Sequence, residues 1–591
     1  MEYPDVPIPR FQKTTRSIFL CGGCLLTMAA MQTPLGAATL FWDFTPATAN
    51  GVSNGGGTSV APGNWLGGAS WDRGTGSGYQ IWADGNDASI AGNSAVAVSG
   101  PVTMNSLNIT GGTVRIQSDA AANDHVLTLT NGGTIASGGV VLFGGDQANV
   151  SGNERSLDVR LGGDINTSGT SGGNIDLFGG TMLSSTSTAG RNIYANVRIG
   201  FGQGASTSAI FGSSTNTGSL FISGNLSTFG GSRRIDVVSG MTVEASGNYL
   251  NANSGSAASL TTAGGGVLKV GGVASNSAIN TFVVGAGTDT TTLELTGSGV
   301  MSSTGSATGT MGNNFSINSV NAVLKFNSSF AQSATAGVQN FAGVISGGGR
   351  LVQEGNGVLA LTNNNTYTGT TTVSGGVLQV GSGGVGSTGT GGVTIQNGGT
   401  LRGTGTIRSS LFAAQLGAVI QAGDDGAATS FGTLKFTPAS GSGIFDFQSG
   451  SSVSLGLNPS GSGDLLSFDG LSAGTLVFDG DLLVSAAGFV PTSVQVFNLL
   501  DWINVDTVTF NSRYNAASYA GLLLGNGDDN LGFDLPDISG SGYGWDIGQF
   551  QTNGTIATAL LVPEPSALWL GAVGLAAMMF RRKRRMGTEL S

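Results

Sequence analysis

Short runs that alternate apolar and polar residues recur along most of the chain. Residues 106–110 (SLNIT), 113–117 (TVRIQ), 126–130 (VLTLT), 267–270 (VLKV) and 292–296 (TLELT) are typical. A period of two marks a strand with one buried face. Gly-Gly, Asn-Gly or Gly-Ser pairs stand beside most runs and supply positive φ at low cost. Helical periodicity is nearly absent between the two ends. No single run can bury its own face, so the pattern predicts a stacked array. Spacing between runs is irregular, so coil length should vary. The array is expected over residues 101–440, with Leu351, Val358, Leu359, Leu361, Val373, Val377 and Leu378 among its interior positions.

Both ends break the pattern. Arg10, Lys13 and Arg16 precede an uncharged run, 17–31, and residues 35–38 are small apart from Leu35. This is the layout of a secretory signal peptide, 1–38, cleaved near Ala37 or Ala38. At the far end Pro563, Glu564 and Pro565 precede an uncharged stretch, 567–580, and then Arg581, Arg582, Lys583, Arg584 and Arg585. The prolines block helix and sheet continuation. The apolar stretch can enter lipid, and the basic run stays on the cytoplasmic side. As a helix it is about 21 Å long at ~1.5 Å per residue, short of the ~30 Å hydrocarbon core. Snorkelling of Arg581 and Arg582 would help it span.

This order over 562–585 resembles a bacterial PEP-CTERM sorting signal. The resemblance implies export by the general secretion machinery, a transient inner-membrane anchor, and recognition by an exosortase-type processing enzyme. The same motif also carries the label of an ice-binding protein C-terminal domain, which says little about function.

A second resemblance lies in the middle. Gly355, Gly357, Leu359 and Leu361 are spaced two apart, as are Asn365, Tyr367, Gly369 and Thr371. Residues 344–381 thus resemble the autotransporter-associated β-strand repeat, and 393–396 and 399–407 continue it. The resemblance implies a right-handed parallel β-helix of passenger type. Such passengers are exported through their own membrane barrel. This sequence pairs the repeat with a single apolar tail segment instead, so self-translocation is not carried over. The expected fold class is all-β: a right-handed parallel β-helix (β-solenoid) with a β-rich C-terminal cap and a single C-terminal transmembrane helix.

The flanks of the array differ from its body. Four of the seven tryptophans, Trp42, Trp65, Trp71 and Trp82, fall within 39–100, which reads as an N-terminal cap. Residues 441–561 are richer in Leu, Phe and Asp. Two strand-like runs there, 494–500 and 544–550, suggest a sandwich-like cap.

Composition narrows the function classes. Glycine is 103 of 591 residues, well above the usual ~7 %. With 39 % hydrophobic and only 10 % charged residues, the glycines punctuate strands rather than fill a disordered linker. Both cysteines, Cys21 and Cys24, lie in the leader, so the mature chain has no disulfide or thiolate metal site. Without the leader and basic tail, 15 basic and 31 acidic residues remain. That balance disfavours nucleic acid.

Candidate chemistry is sparse. His125, beside Asp124, is the one histidine; a general-base role is set against a chance neighbour pair. Asp158, Asp164 and Asp176, with Arg155 and Arg160 nearby, sit on successive strand-turn units and could stack on one face. Two such carboxylates suffice for glycoside hydrolysis; the plainer reading is solvated turn residues. Residues 525–531 partly match a calcium-binding nonapeptide, which works in tandem, but the motif occurs once. The threonine run 368–372 invites comparison with ice-binding Thr ladders, or is β-propensity plus turn chemistry. Trp65, Trp71 and Trp82 could stack on sugars or lie buried under a cap. No catalytic, cofactor or metal residue is assigned. The sequence reads as a non-enzymatic, exported structural or adhesive protein of the cell surface or matrix, associated with exopolysaccharide. The alternatives are a β-helix polysaccharide lyase or glycoside hydrolase, and a carbohydrate- or ice-binding module.

Overall fold

The structure is a computed structural model. It describes residues 37–561 apart from 43–62, 67–70, 73–78, 120–124, 145–155, 169–171, 201–207, 229–231, 252–257, 276–278, 298–309, 312–313, 328–337, 425–430, 516–522, 524–531 and single positions 179, 187, 189, 342, 459 and 487. The leader up to residue 36, the sorting tail from residue 562 and the 525–531 acidic run therefore lie outside the described residues.

Each coil visits three walls in a fixed order. Val102–Met104, Leu107–Ile109 and Thr113–Ser118 form one coil. His125–Leu129, Gly133–Ala136 and Val140–Phe143 form the next. Each strand pairs in parallel with its counterpart one coil on. The alternation in sequence decides the facing: Leu107 and Ile109 are buried while Asn108 is not. A one-residue slip would turn every apolar side chain outward, so the register is strongly specified.

The second wall is continuous. Seventeen successive parallel pairings carry it from Thr39–Trp42 to Leu500–Phe510. At about 4.8 Å per pairing the stack is roughly 80 Å long. One inward column runs Leu268, Leu293, Leu324, Leu351, Thr371, Val393, Phe412, Phe445 and Leu476. All are buried.

Close stacking also explains the glycines. Gly132 has φ +76°, and a Cβ there would collide with the Asp164 carbonyl of the next coil. Gly369 has no room for a Cβ beneath the Gly349 carbonyl.

Of the expected interior positions, Leu351, Leu359, Leu361, Val373 and Leu378 join the core. Val358 and Val377 do not. They are buried but face the other side of their strands and pair with each other across coils. Strand alternation forces this, because Leu359 and Leu378 already point inward.

The parallel ladder does not stop at residue 440. It continues through Ile444–Phe447, Ser452–Gly456, Leu465–Phe478, Asp481–Ser485 and Leu500–Phe510 to Phe533–Asp534. The phenylalanines that set this region apart in sequence are core filling: Phe445, Phe447, Phe468 and Phe478 pack on one another and on Phe436 just before it. The expected sandwich is a single antiparallel sheet, with Thr555–Leu560 between Val496–Asn498 and Tyr543–Asp546. A helical turn, Phe550–Asn553, plugs the core, with Phe550 against Phe510, Tyr514 and Phe533.

At the other end Asp87–Ile90 and Ser94–Val98 are already rungs of the stack. Thr39–Trp42 pairs in parallel with Asp87–Ile90 and antiparallel with Trp71–Asp72. Among the described residues, no helix is long and apolar enough to cross a membrane.

Candidate functional site

The three aspartates proposed to share a face are on three different walls. Asp158 lies on Leu157–Leu161 of the first wall, and Asp176 on Gly173–Leu177 of the third. Asp164 stands at the turn before Ile165–Ser168 of the second. Successive strand-turn units in the sequence are successive walls of one coil, not the same wall of successive coils. Stacking on one face requires the latter.

Each of these carboxylates is engaged within the protein. Asp158 accepts Nε (2.9 Å) and Nη2 (2.5 Å) of Arg160. Asp176 accepts Nε (2.5 Å) and Nη2 (2.7 Å) of Arg198, its partner one coil on. Burial raises the Asp176 carboxyl above its ordinary pKa, while the Arg198 hydrogen bonds and charge pull the other way. Asp164 accepts the backbone N–H (2.8 Å) and Nδ2 (3.1 Å) of Asn192. Arg155 lies outside the described residues.

Other aspartates do similar work at the turns. Asp289 accepts the Gly264 N–H of the preceding coil at 3.0 Å. Asp464 accepts N–H groups from Gly432 and Gly456, both at 2.8 Å. Asp424 accepts the Gly383 N–H at 3.0 Å and the Thr404 hydroxyl at 2.7 Å. They staple coil to coil through charge-assisted hydrogen bonds. Among the described residues no group of three or more His, Cys, Asp or Glu could hold a metal ion.

Asp124, the sequence neighbour of His125, lies outside the described residues. The His125 Nε2 is 3.1 Å from Asp119 Oδ1, at a partly exposed site. Trp42, Trp65, Trp71 and Trp82 are buried against one another, with centroid distances from 4.8 to 5.3 Å. They fill the first coil and offer no sugar platform.

The threonine run is not a ladder. On the outward column Thr372 has Thr394 as its next partner, but Val352 precedes it and Ala413 follows. Thr371 points inward, where its hydroxyl meets the buried Tyr367 hydroxyl at 2.6 Å.

The repeat signature itself is a coil-joining device. Asn365 Oδ1 accepts the Ile345 N–H at 2.8 Å, and its Nδ2 donates to the Ser387 carbonyl at 2.7 Å. One side chain thus ties its own coil to the coils before and after. A charged column runs beside it. Glu244, Lys269, Glu294 and Lys325 are successive outward partners. Lys325 lies 3.7 Å from Glu294 and also pairs with Glu354. Charges alternating in sign about one coil apart were the available sequence signal for this column.

The chain leaves the body at a fixed point. Thr555–Leu560 is paired on both sides, and Leu561 N–H donates to the Gly542 carbonyl at 2.9 Å. Pro563, Glu564, Pro565 and residues 581–585 follow, outside the described residues. At the front, Ala38 N–H donates to Asn86 Oδ1 (3.2 Å), and its carbonyl accepts from Asp87 N–H (2.9 Å). The cleavage region at Ala37 and Ala38 therefore adjoins the first rung directly.

Comparison with known proteins matches both motifs. Residues 351–380 match the passenger-associated-transport-repeat, and residues 561–585 the PEP-CTERM protein-sorting motif. A stretch of 79 residues is 43 % identical to the adhesin BmaC autotransporter of Brucella suis biovar 1 (strain 1330). That stretch is 13 % of this chain and spans 2 % of the adhesin. No solved structure matches. The two family matches indicate an exported, cell-surface protein, and the tail motif implies processing by an exosortase-type system.

Proposed function

We propose that this protein is a structural or adhesive component of the cell surface or extracellular matrix, sorted by an exosortase-type enzyme and associated with exopolysaccharide. The observation that carries the reading is the use of its carboxylates. Asp158, Asp164, Asp176, Asp289, Asp424 and Asp464 are each bonded within the stack. A rigid body of about 80 Å built from nearest-neighbour coils suits display and contact rather than turnover. The partial likeness to an adhesin points the same way. The body has no catalytic role in this reading.

The tail supplies the sorting. Residues 567–580 hold the exported precursor in the inner membrane, body outside and residues 581–585 inside. In cells that carry the processing enzyme, intact mass of the surface form should lack residues 581–591. Replacing Pro563, Glu564 and Pro565 with alanine should leave the protein in the inner membrane. A surface form that keeps its basic tail, or an alanine variant that reaches the surface, would refute the sorting. Binding of the exported protein to a panel of acidic and neutral glycans tests the exopolysaccharide association.

A further inference from the structure

The cap that closes the solenoid leaves almost no slack before the sorting tail. Thr555–Leu560 is the central strand of its sheet, and Leu561 is still hydrogen-bonded to Gly542. The matched sorting motif begins at that same residue. From Leu561 to Ala567, the first residue of the apolar segment, fully extended chain reaches at most about 21 Å. With that segment in a bilayer, the cap cannot stand further than this from the point of entry.

The surface held there is aliphatic and small. Val496 is 61 % exposed and pairs with half-buried Ala557, whose partner on the other side is exposed Asp546. Val490 and Val494, just before Val496 in the chain, are exposed to a similar degree. Among the described residues, the tryptophan-filled N-terminal end presents Ile81 as its exposed large aliphatic. Charge argues against a free-standing affinity for anionic lipid: residues 441–561 contain twelve aspartates and a single basic residue, Arg513.

We propose that the outer face of the cap sheet, centred on Val496 and Ala557, is a juxtamembrane surface that meets neutral lipid headgroups in the anchored precursor. The short tether, rather than electrostatic attraction, holds it there. This rests on the reading of 567–580 as membrane-inserted.

The mature chain has no native cysteine, so single probes are clean. The anchored precursor is reconstituted in phosphatidylcholine vesicles that carry a headgroup quencher. A fluorophore is attached at Val496→Cys or, as a remote control, Ile81→Cys. The Val496 probe should be quenched several-fold more than the Ile81 probe. A ten-residue Gly-Ser insertion after Leu561 should remove most of that difference. Equal quenching at the two sites overturns the proposal, as does quenching that survives the insertion. Carbonate extraction separates the two levels. If the tail resists extraction while the Val496 probe stays unquenched, only the juxtamembrane surface is wrong. If the tail is extracted, the membrane reading fails and takes the surface with it.

Discussion

The two ends of the stack are closed by different chemistry. The first rung is sealed by short antiparallel strands and four packed indoles. The last is plugged from inside by Phe550, Tyr514 and Phe533, and among the described residues its outer edge carries no further ladder. Among the described residues, Leu500–Phe510 pairs as a ladder with Leu465–Phe478 alone; beyond it, the Leu500 N–H reaches the Gly554 carbonyl. Such an edge invites pairing with another chain. Here it carries exposed Asp501 and Asp506, and Asn504 at φ 54° bends it where the register shifts. The N-terminal end is a stopper. The C-terminal end must also pass the chain on to its tail, and among the described residues its edge is marked by charge and a kink rather than by a covering strand.

Removing an indole should give the largest effect. Trp71→Ala should cost about 4–5 kcal/mol locally, within the range for large aromatic truncation. Coils contact only their neighbours, so lost hydrogen-exchange protection should be confined to roughly residues 39–118. Loss that reaches 345–421 would show that the ends are not independent. At the other end, Phe550→Ala should cost about 3–4 kcal/mol and expose the final coils to proteolysis, leaving the tryptophan end intact.

A lesson about reading such chains lies in the carboxylates. The strand pattern, the glycine turns and the repeat around 344–381 were all legible, because each is a local rule of periodicity or backbone conformation. Which wall an aspartate occupies was not. Coil length varies, so sequence spacing does not translate into stacking, and Asp158, Asp164 and Asp176 came apart onto three walls. Val358 faces away from the column because it lies in a run that is apolar on both sides, and Val377 because it shares the outward side of its strand with Gln379. The phenylalanine-rich stretch after 440 mimicked a separate domain because a core filled with aromatics differs in composition but not in architecture. The sorting tail was legible throughout as an ordered motif.

A lesion in mid-stack calibrates the two ends. Arg198→Ala leaves the buried Asp176 carboxylate without its bidentate partner and should cost about 3 kcal/mol. The pH dependence has a definite sign. Burial holds the Asp176 carboxyl above 3.8 in the fold, so the folded state binds that proton more tightly than the unfolded chain. Its contribution to stability therefore falls as pH rises from 3.8 through the raised value. Denaturation midpoints of wild type and Asp176→Asn should shift relative to one another over that window, in favour of the variant as pH rises. A constant difference would mean that Asp176 titrates normally.

The smallest change in stability is expected at the guarded edge. Asp506→Val should alter it by no more than about 0.5 kcal/mol, yet raise self-association in sedimentation at high concentration. An unchanged sedimentation profile would show that the charge does not guard the edge.

The central proposal is that the carboxylates serve the stack and do no catalysis. It is tested most directly by incubating the exported protein with acidic and neutral polysaccharides and measuring new reducing ends or unsaturated products. Asp164→Asn and Asp176→Asn are run beside it. No turnover by the wild type, with lowered melting temperature in the variants, is the predicted result. Turnover of any polysaccharide that disappears in either variant, while the variant stays folded, would contradict it.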